Sequence, residues 1–275
     1  MKETRAIMGM PITVEVIDEH ASPNILEEVF SYFTSVDEKF STYKDTSEIS
    51  KINEHLREKS SLEKVLGSPR KASARPFSQE VFHSDPEVNF SSEMQEVLEL
   101  AEKTKQETGG YFNIKKQDGT VDPSGIVKGW AINNAADILL HCGASNFCIE
   151  AGGDIQTHGN AAGGAEWSVG IRNPFNTNEI VKVIYPHGKG VATSGSYERG
   201  NHIYNPLNNT DTLEDIVSIT VIGPNVLEAD RFATAAFAMG KEGVNFIESL
   251  PQFDAYSIDK FGVATMTRNF KNYLQ

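Results

Sequence analysis

The chain has 275 residues, of which 39% are apolar, with 22 Gly and 11 Pro spread through it. This is ordinary globular composition and excludes collagen-like and wholly disordered chains. Twenty-five basic against 38 acidic side chains give a formal net charge of −13. That charge disfavours sequence-independent nucleic-acid binding, which needs cations against phosphates. No run of 18 apolar residues is present, so no membrane-spanning helix is expected. Cys142 and Cys148 fit neither a metal spacing nor a disulfide framework. With no export signal or lipid-attachment cysteine in view, the expected compartment is cytoplasmic. An exported protein is the alternative if the sequence is a mature form.

Residues 10–18 alternate and are rich in β-branched side chains, which predicts a strand. Ser22-Pro23 opens an amphipathic helix carrying Ile25, Leu26, Val29, Phe30, Phe33, Val36 and Phe40. Residues from about 56 to 90 show no clear period and read as a long surface insertion, its basic cluster a solvated loop. Ser91 or Ser92 caps a helix that ends by Gly109-Gly110, and a further helix runs from Ile126 to about His141, stopped by Gly143. Strands are expected at Phe147–Glu150, Trp167–Ile171, Ile180–Ile184, Val191–Ser194 and Ile216–Ile222. Asn225 opens a helix that closes at Gly240. A last helix spans roughly 241–250, and short strands lie near Tyr256 and Val263. Strands in runs, rather than alternating with helices, predict an α+β fold in one domain over 1–275.

No Walker A loop, no Gly-x-Gly-x-x-Gly after a strand, no zinc-protease pattern and no nucleophile elbow is present, and Ser194-Gly195-Ser196 reads as a turn. Four segments carry chemistry-bearing residues. Asp122-Pro-Ser-Gly-Ile-Val-Lys-Gly-Trp130 puts Asp122 and Lys128 at a helix start, where anions are favoured; it also reads as a plain helix-entry turn. Glu150-Ala-Gly-Gly-Asp-Ile155 projects Asp154 from a strand-end turn, or is simply a glycine hairpin. Ala192-Thr-Ser-Gly-Ser-Tyr-Glu-Arg199 followed by Asn201-His-Ile-Tyr-Asn-Pro206 surrounds His202 with hydroxyls and an arginine, company that suits a general base. On Glu228-Ala-Asp-Arg-Phe-Ala-Thr234, Asp230 and Thr234 are four apart on one helical face. That pairing suits a hard cation, or else a first-turn aspartate and a threonine bonded to a carbonyl.

In this order, the segments resemble the ApbE family of FAD:protein FMN transferases. The likeness also takes in Met8-Gly9, Phe40-Ser-Thr-Tyr-Lys-Asp-Thr-Ser-Glu-Ile-Ser-Lys-Ile-Asn53, Gly109-Gly-Tyr-Phe-Asn113 and Ser218-Ile-Thr-Val-Ile-Gly-Pro224. The resemblance implies an ApbE-like (T-fold-like) α+β arrangement of mostly antiparallel sheets with packed helices. It implies transfer of FMN from FAD to a threonine hydroxyl of an acceptor protein, with release of AMP. The implied cofactor is Mg²⁺, held by Asp230 and Thr234 with the carbonyls of Gly125 and Ala233. The implied FAD contacts are Met8, Tyr43, Tyr111, Phe112, Asn113, Asp122, Lys128 and Tyr204, and His202 is the implied catalytic base, with His158 a weaker second candidate. The partners are FAD and the acceptor protein, with no nucleic acid, and a homodimer is left open. The family usually reads His-Ile-x-Asp-Pro and Phe-Asp where this chain has Asn205 and Asn113. FAD hydrolysis to FMN and AMP, or FAD binding without turnover, are the alternative functions.

Overall fold

A computed structural model describes residues 1–66, 90–116, 118–196 and 215–275. Its frame is an eight-stranded sheet in the order β1-β2-β3-β4-β7-β8-β9-β10, every neighbouring pair antiparallel. The strands are β1 (Lys2–Ile7), β2 (Met10–Val16), β3 (Phe147–Ala151), β4 (Asp154–His158), β7 (Gly190–Gly195), β8 (Ile216–Gly223), β9 (Asp254–Asp259) and β10 (Ala264–Met266). A separate hairpin pairs β5 (Val169–Asn173) with β6 (Asn176–Ile184).

Among the described residues six α-helices accompany the sheet: α1 (Ile25–Phe40), α2 (Glu48–Leu66), α3 (Ser92–Glu107), α4 (Ser124–His141), α5 (Val226–Ala238) and α6 (Glu242–Ser249). Helices α4 and α5 pack on each other and on the middle of the sheet, α4 against β3 and β4, α5 against β7 and β8. Trp130 of α4 is buried, and its ring meets the edge of Phe40 from α1. Its indole N–H donates to Glu96 of α3 at 3.0 Å, so both the apolar body and the polar tip of the side chain are satisfied. On the opposite face Val169, Ile171 and Ile184 of the hairpin pack with Val191, Ile222, Tyr256 and Phe270. The sheet is therefore covered on both sides, and its central strands carry continuously buried stretches such as Ile219 to Ile222.

Local chemistry sets the helix starts. Ser91 accepts from the Met94 amide at 3.2 Å, and Asn225 accepts from the Glu228 amide at 2.9 Å. Gly143, at φ 86°, ends α4, its amide returning to Leu140.

Two expectations need correction. The surface insertion does not begin near 56, because α2 continues to Leu66. Ile49 and Ile52 are buried and Leu56 is half-buried one turn further on, but Arg57, Glu58 and Ser61 face outward. With only one edge of the helix covered, the apolar period fades while the helix persists. Residues 67–89 lie outside the described residues. The Ser194-Gly195-Ser196 segment is also not a turn throughout, since β7 pairs with β8 as far as Gly195. Strands β1 and β4 were not expected. β1 alternates charged and small residues, and β4 carries Gln156 and Thr157, so neither shows a clean apolar stripe.

Candidate functional site

The site forms where α4 and α5 cross above β4 and β7. Asp230 lies one turn inside α5 and is buried. Its Oδ2 accepts from the backbone N–H of Gly129 in α4 at 2.8 Å. A Cβ at position 129 would stand 2.6 Å from the Cβ of Asp230, so only glycine lets the two helices approach this closely. In a regular helix the Gly129 amide serves the Gly125 carbonyl four residues back. A donor aimed at Asp230 has correspondingly less to give that carbonyl. Thr234, one turn beyond Asp230, directs its Oγ1 to the Gly125 oxygen at 3.4 Å.

Asp154 completes the cluster. The turn Gly152-Gly153, at φ 53° and 85°, brings the chain from β3 into β4 and places Asp154 at the first strand position, fully buried. Lys128 Nζ lies 2.8 Å from its Oδ2, and the Thr193 amide of β7 donates to Oδ1 at 3.1 Å. Burial, then the negative charge of Asp154, pushes the Asp230 carboxyl up to about 8. Burial also raises Asp154, against the opposing pull of Lys128.

A cavity of about 410 Å³ opens beside Lys128, between the Met8–Met10 corner, the C-terminal end of α1 and the start of α4. Met8, Tyr43 and Lys128 line it, together with Phe40, Thr42 and Ser124. Met8 is held at φ 56°, and Tyr43 is 96% exposed. Lys128, by contrast, is 13% exposed and already carries an ion pair.

The other expected FAD contacts are placed differently. Phe112 is buried in the main core and packs beside Gly125. Asn113 accepts from the Lys115 amide at 3.1 Å. Tyr111 is half-buried. Asp122 pairs with Lys116 at 2.9 Å and accepts from the Ser124 amide at 3.1 Å. Burial acts to raise its carboxyl, but Lys116 and Ser124 outweigh it and hold the group below the usual carboxylate value. Tyr204 and the expected base His202, with Asn205, lie outside the described residues. His158 sits at the far end of β4 with its ring stacked on Phe147, four residues or about 13 Å of strand from Asp154.

Of the expected metal ligands, Gly125, Asp230 and Thr234 come together. Ala233 is buried in α5, which is helical without interruption from Val226 to Ala238, so its carbonyl remains in the helical ladder. Among the described residues no cluster of three or more His, Cys, Asp or Glu side chains is arranged to hold a metal. The donors here are a carboxylate, a hydroxyl and a carbonyl, all hard oxygens. Two buried carboxylates face one ammonium, which leaves a surplus negative charge that a cation or a proton must compensate. These residues fit a Mg²⁺ ion. Asp154, Thr193 and Gly129 were not assigned by sequence reading. The turn glycines ahead of Asp154 and the Lys128-Gly129 pair were the signals available.

The ApbE family model matches residues 8–118 and 114–257. The chain belongs to the ApbE family. A relative named FAD:protein FMN transferase from Escherichia coli (strain K12) is 29% identical over 176 residues, covering 60% of this chain and 50% of that protein. The chain thus matches about half the length of this relative. A protein of the same name from Haemophilus influenzae is 26% identical over 286 residues, covering 88% of this chain and 83% of its own length. The solved ApbE protein from Thermotoga maritima superposes with a TM-score of 0.81 at 20% identity, covering 100% of this chain and 99% of that one. Flavin transferase ApbE from Vibrio cholerae gives 0.79 at 21% identity with the same coverage. The ApbE fold, α+β with mainly antiparallel sheets, is therefore shared. Among the described residues no helix is long and apolar enough to cross a membrane.

Proposed function

We propose that this chain transfers FMN from FAD to a threonine hydroxyl of an acceptor protein and releases AMP. The observation that carries the reading is the buried group of Lys128, Asp154 and Asp230, joined by the oxygens of Gly125 and Thr234, beside a cavity edged by Met8 and Tyr43. A cationic head and a hard-cation oxygen set next to a flat-ring binding surface suit a flavin dinucleotide. Membership of a family whose relatives carry the name FAD:protein FMN transferase supports the same reading.

In this mechanism Met8 and Tyr43 flank the isoalloxazine, and Lys128 pairs with a phosphate oxygen. Asp230, Thr234 Oγ1 and the Gly125 carbonyl would hold Mg²⁺, which when bound neutralises charge on the diphosphate. The threonine oxygen attacks the FMN-side phosphorus, the P–O bond to the AMP oxygen breaks, and AMP leaves. His202 accepts the threonine proton on a ring nitrogen, a role that rests on family resemblance. Phosphoryl transfer depends mainly on positioning and charge neutralisation, which is what these side chains supply.

The test is to incubate the protein with FAD, Mg²⁺ and a threonine-bearing acceptor domain from a substrate of a relative. Covalent flavin on the acceptor with stoichiometric AMP is the expected result. Free FMN with AMP means hydrolysis, and unchanged FAD means binding alone; either overturns the transferase reading.

A further inference from the structure

The proposed chemistry gives the buried carboxylate of Asp154 no part. Asp154 touches no wall of the cavity, yet it is fully buried and three elements converge on it. Lys128 reaches it from α4 and the Thr193 amide from β7, and the negative charge of the buried Asp230 carboxyl on α5 bears on it. Burying a carboxylate beside a second one costs free energy that an apolar residue of similar size would avoid. What the ion pair does achieve is geometric. Lys128 has a flexible four-carbon stem and its ammonium is a compact point charge, so a fixed anion behind it determines where that charge stands. Lys128 lines the cavity, and its ammonium is anchored at Asp154.

We propose that Asp154 is a positioning residue: it holds the Lys128 ammonium at the cavity wall and thereby sets affinity for the diphosphate of the bound dinucleotide. The inference rests on the flavin-dinucleotide reading above. Asp154 acts through Lys128 and does not touch the ligand. A neutral asparagine would keep an acceptor for the Thr193 amide and fill the same volume, but would not anchor the ammonium.

The test compares FAD with riboflavin, which has the same ring and no phosphate, by quenching of flavin fluorescence. Asp154→Asn is expected to weaken FAD by about tenfold, the size of one charge-assisted contact, while riboflavin changes by less than about twofold. In a Lys128→Met background, adding Asp154→Asn is expected to change FAD affinity by less than about twofold, because the residue through which Asp154 acts is gone. A residue that merely supports the fold would weaken both flavins, and would do so in either background.

A parent-like preference for FAD in Asp154→Asn overturns the proposal, as does an equal loss in both backgrounds. A parent protein that binds riboflavin as tightly as FAD strikes the dinucleotide reading itself and the proposal with it. A parent that prefers FAD, with Asp154→Asn unchanged, strikes the proposal alone. If Asp154→Asn does not fold, Lys128→Met is compared with the double variant, in which the buried pair is removed together. Equal FAD-to-riboflavin ratios there support the positioning role, and a further fall in the double variant overturns it.

Discussion

Gly129 and Asp230 lie on different helices, and the amide of the first donates to the carboxylate of the second at 2.8 Å. The contact orients the Asp230 carboxylate and ties α5 to α4 at the point where the two helices cross.

Gly129→Ala tests this crossing. The added methyl would stand 2.6 Å from the Asp230 Cβ, 2.9 Å from its Oδ2 and 3.0 Å from the Val226 carbonyl oxygen, so the helices would have to part to admit it. We expect a destabilisation of about 1–3 kcal/mol, typical of overpacking, read from the midpoint of urea unfolding. A variant as stable as the parent, with unchanged Mg²⁺ affinity, would show that the helices can part without consequence.

Asp230 also makes stability depend on pH. Its folded value, about 8, stands above the ordinary 3.8, so the metal-free protein is favoured at low pH and loses that advantage as pH rises between the two values. Asp230→Asn removes the charge and keeps the volume. We expect it to raise the metal-free melting temperature at about pH 9 by roughly 2–8 °C, at 2–4 °C per kcal/mol, and to leave it nearly unchanged near pH 4. Calorimetry in chelator at both pH values checks this. A lower melting point for the variant at the higher pH would contradict it.

Tyr43 and Phe112 were expected to do the same job, but the structure separates them. Tyr43 is 96% exposed at the cavity rim, whereas Phe112 is 3% exposed in the core. Tyr43→Ala is expected to leave the melting temperature unchanged and to weaken flavin binding by about 0.5–1.5 kcal/mol, the scale of an aromatic pair. Phe112→Ala is expected to cost about 3–5 kcal/mol of stability, as for a large buried aromatic. Denaturation and flavin titration on both variants tell the two roles apart.

The sequence made most of this fold legible where one side of an element is apolar and the other is wet. Helix α1 shows its buried face as Ile25, Leu26, Val29, Phe30, Phe33, Val36 and Phe40, all of which are buried. Strand β2 alternates cleanly from Met10 to Val16. Legibility failed where burial comes from elsewhere in the chain. Helix α2 outruns its apolar stripe, and β4 is buried on both faces while starting with an aspartate. At the site, the four-residue spacing of Asp230 and Thr234 marked a shared helical face. Nothing local to that helix announced that Gly129, 101 residues earlier, would supply the amide. The same holds for Lys128 and Asp154, an ion pair made by packing α4 over β4. Contacts between distant segments leave their mark in sequence only as isolated glycines and charges, and these have ordinary local explanations as well.

Single-turnover transfer of FMN to a threonine acceptor, measured against Mg²⁺ concentration for the parent, Asp230→Ala and Thr234→Ala, tests the proposed site most directly. Asp230 is the one carboxylate in the oxygen set with Gly125 and Thr234, so its loss leaves too little charge to retain the ion. The parent should saturate with Mg²⁺, Thr234→Ala should need more of the ion to reach a measurable rate, and Asp230→Ala should show no Mg²⁺-dependent transfer while remaining folded. Full transfer by Asp230→Ala at the Mg²⁺ concentration that saturates the parent would contradict the assignment.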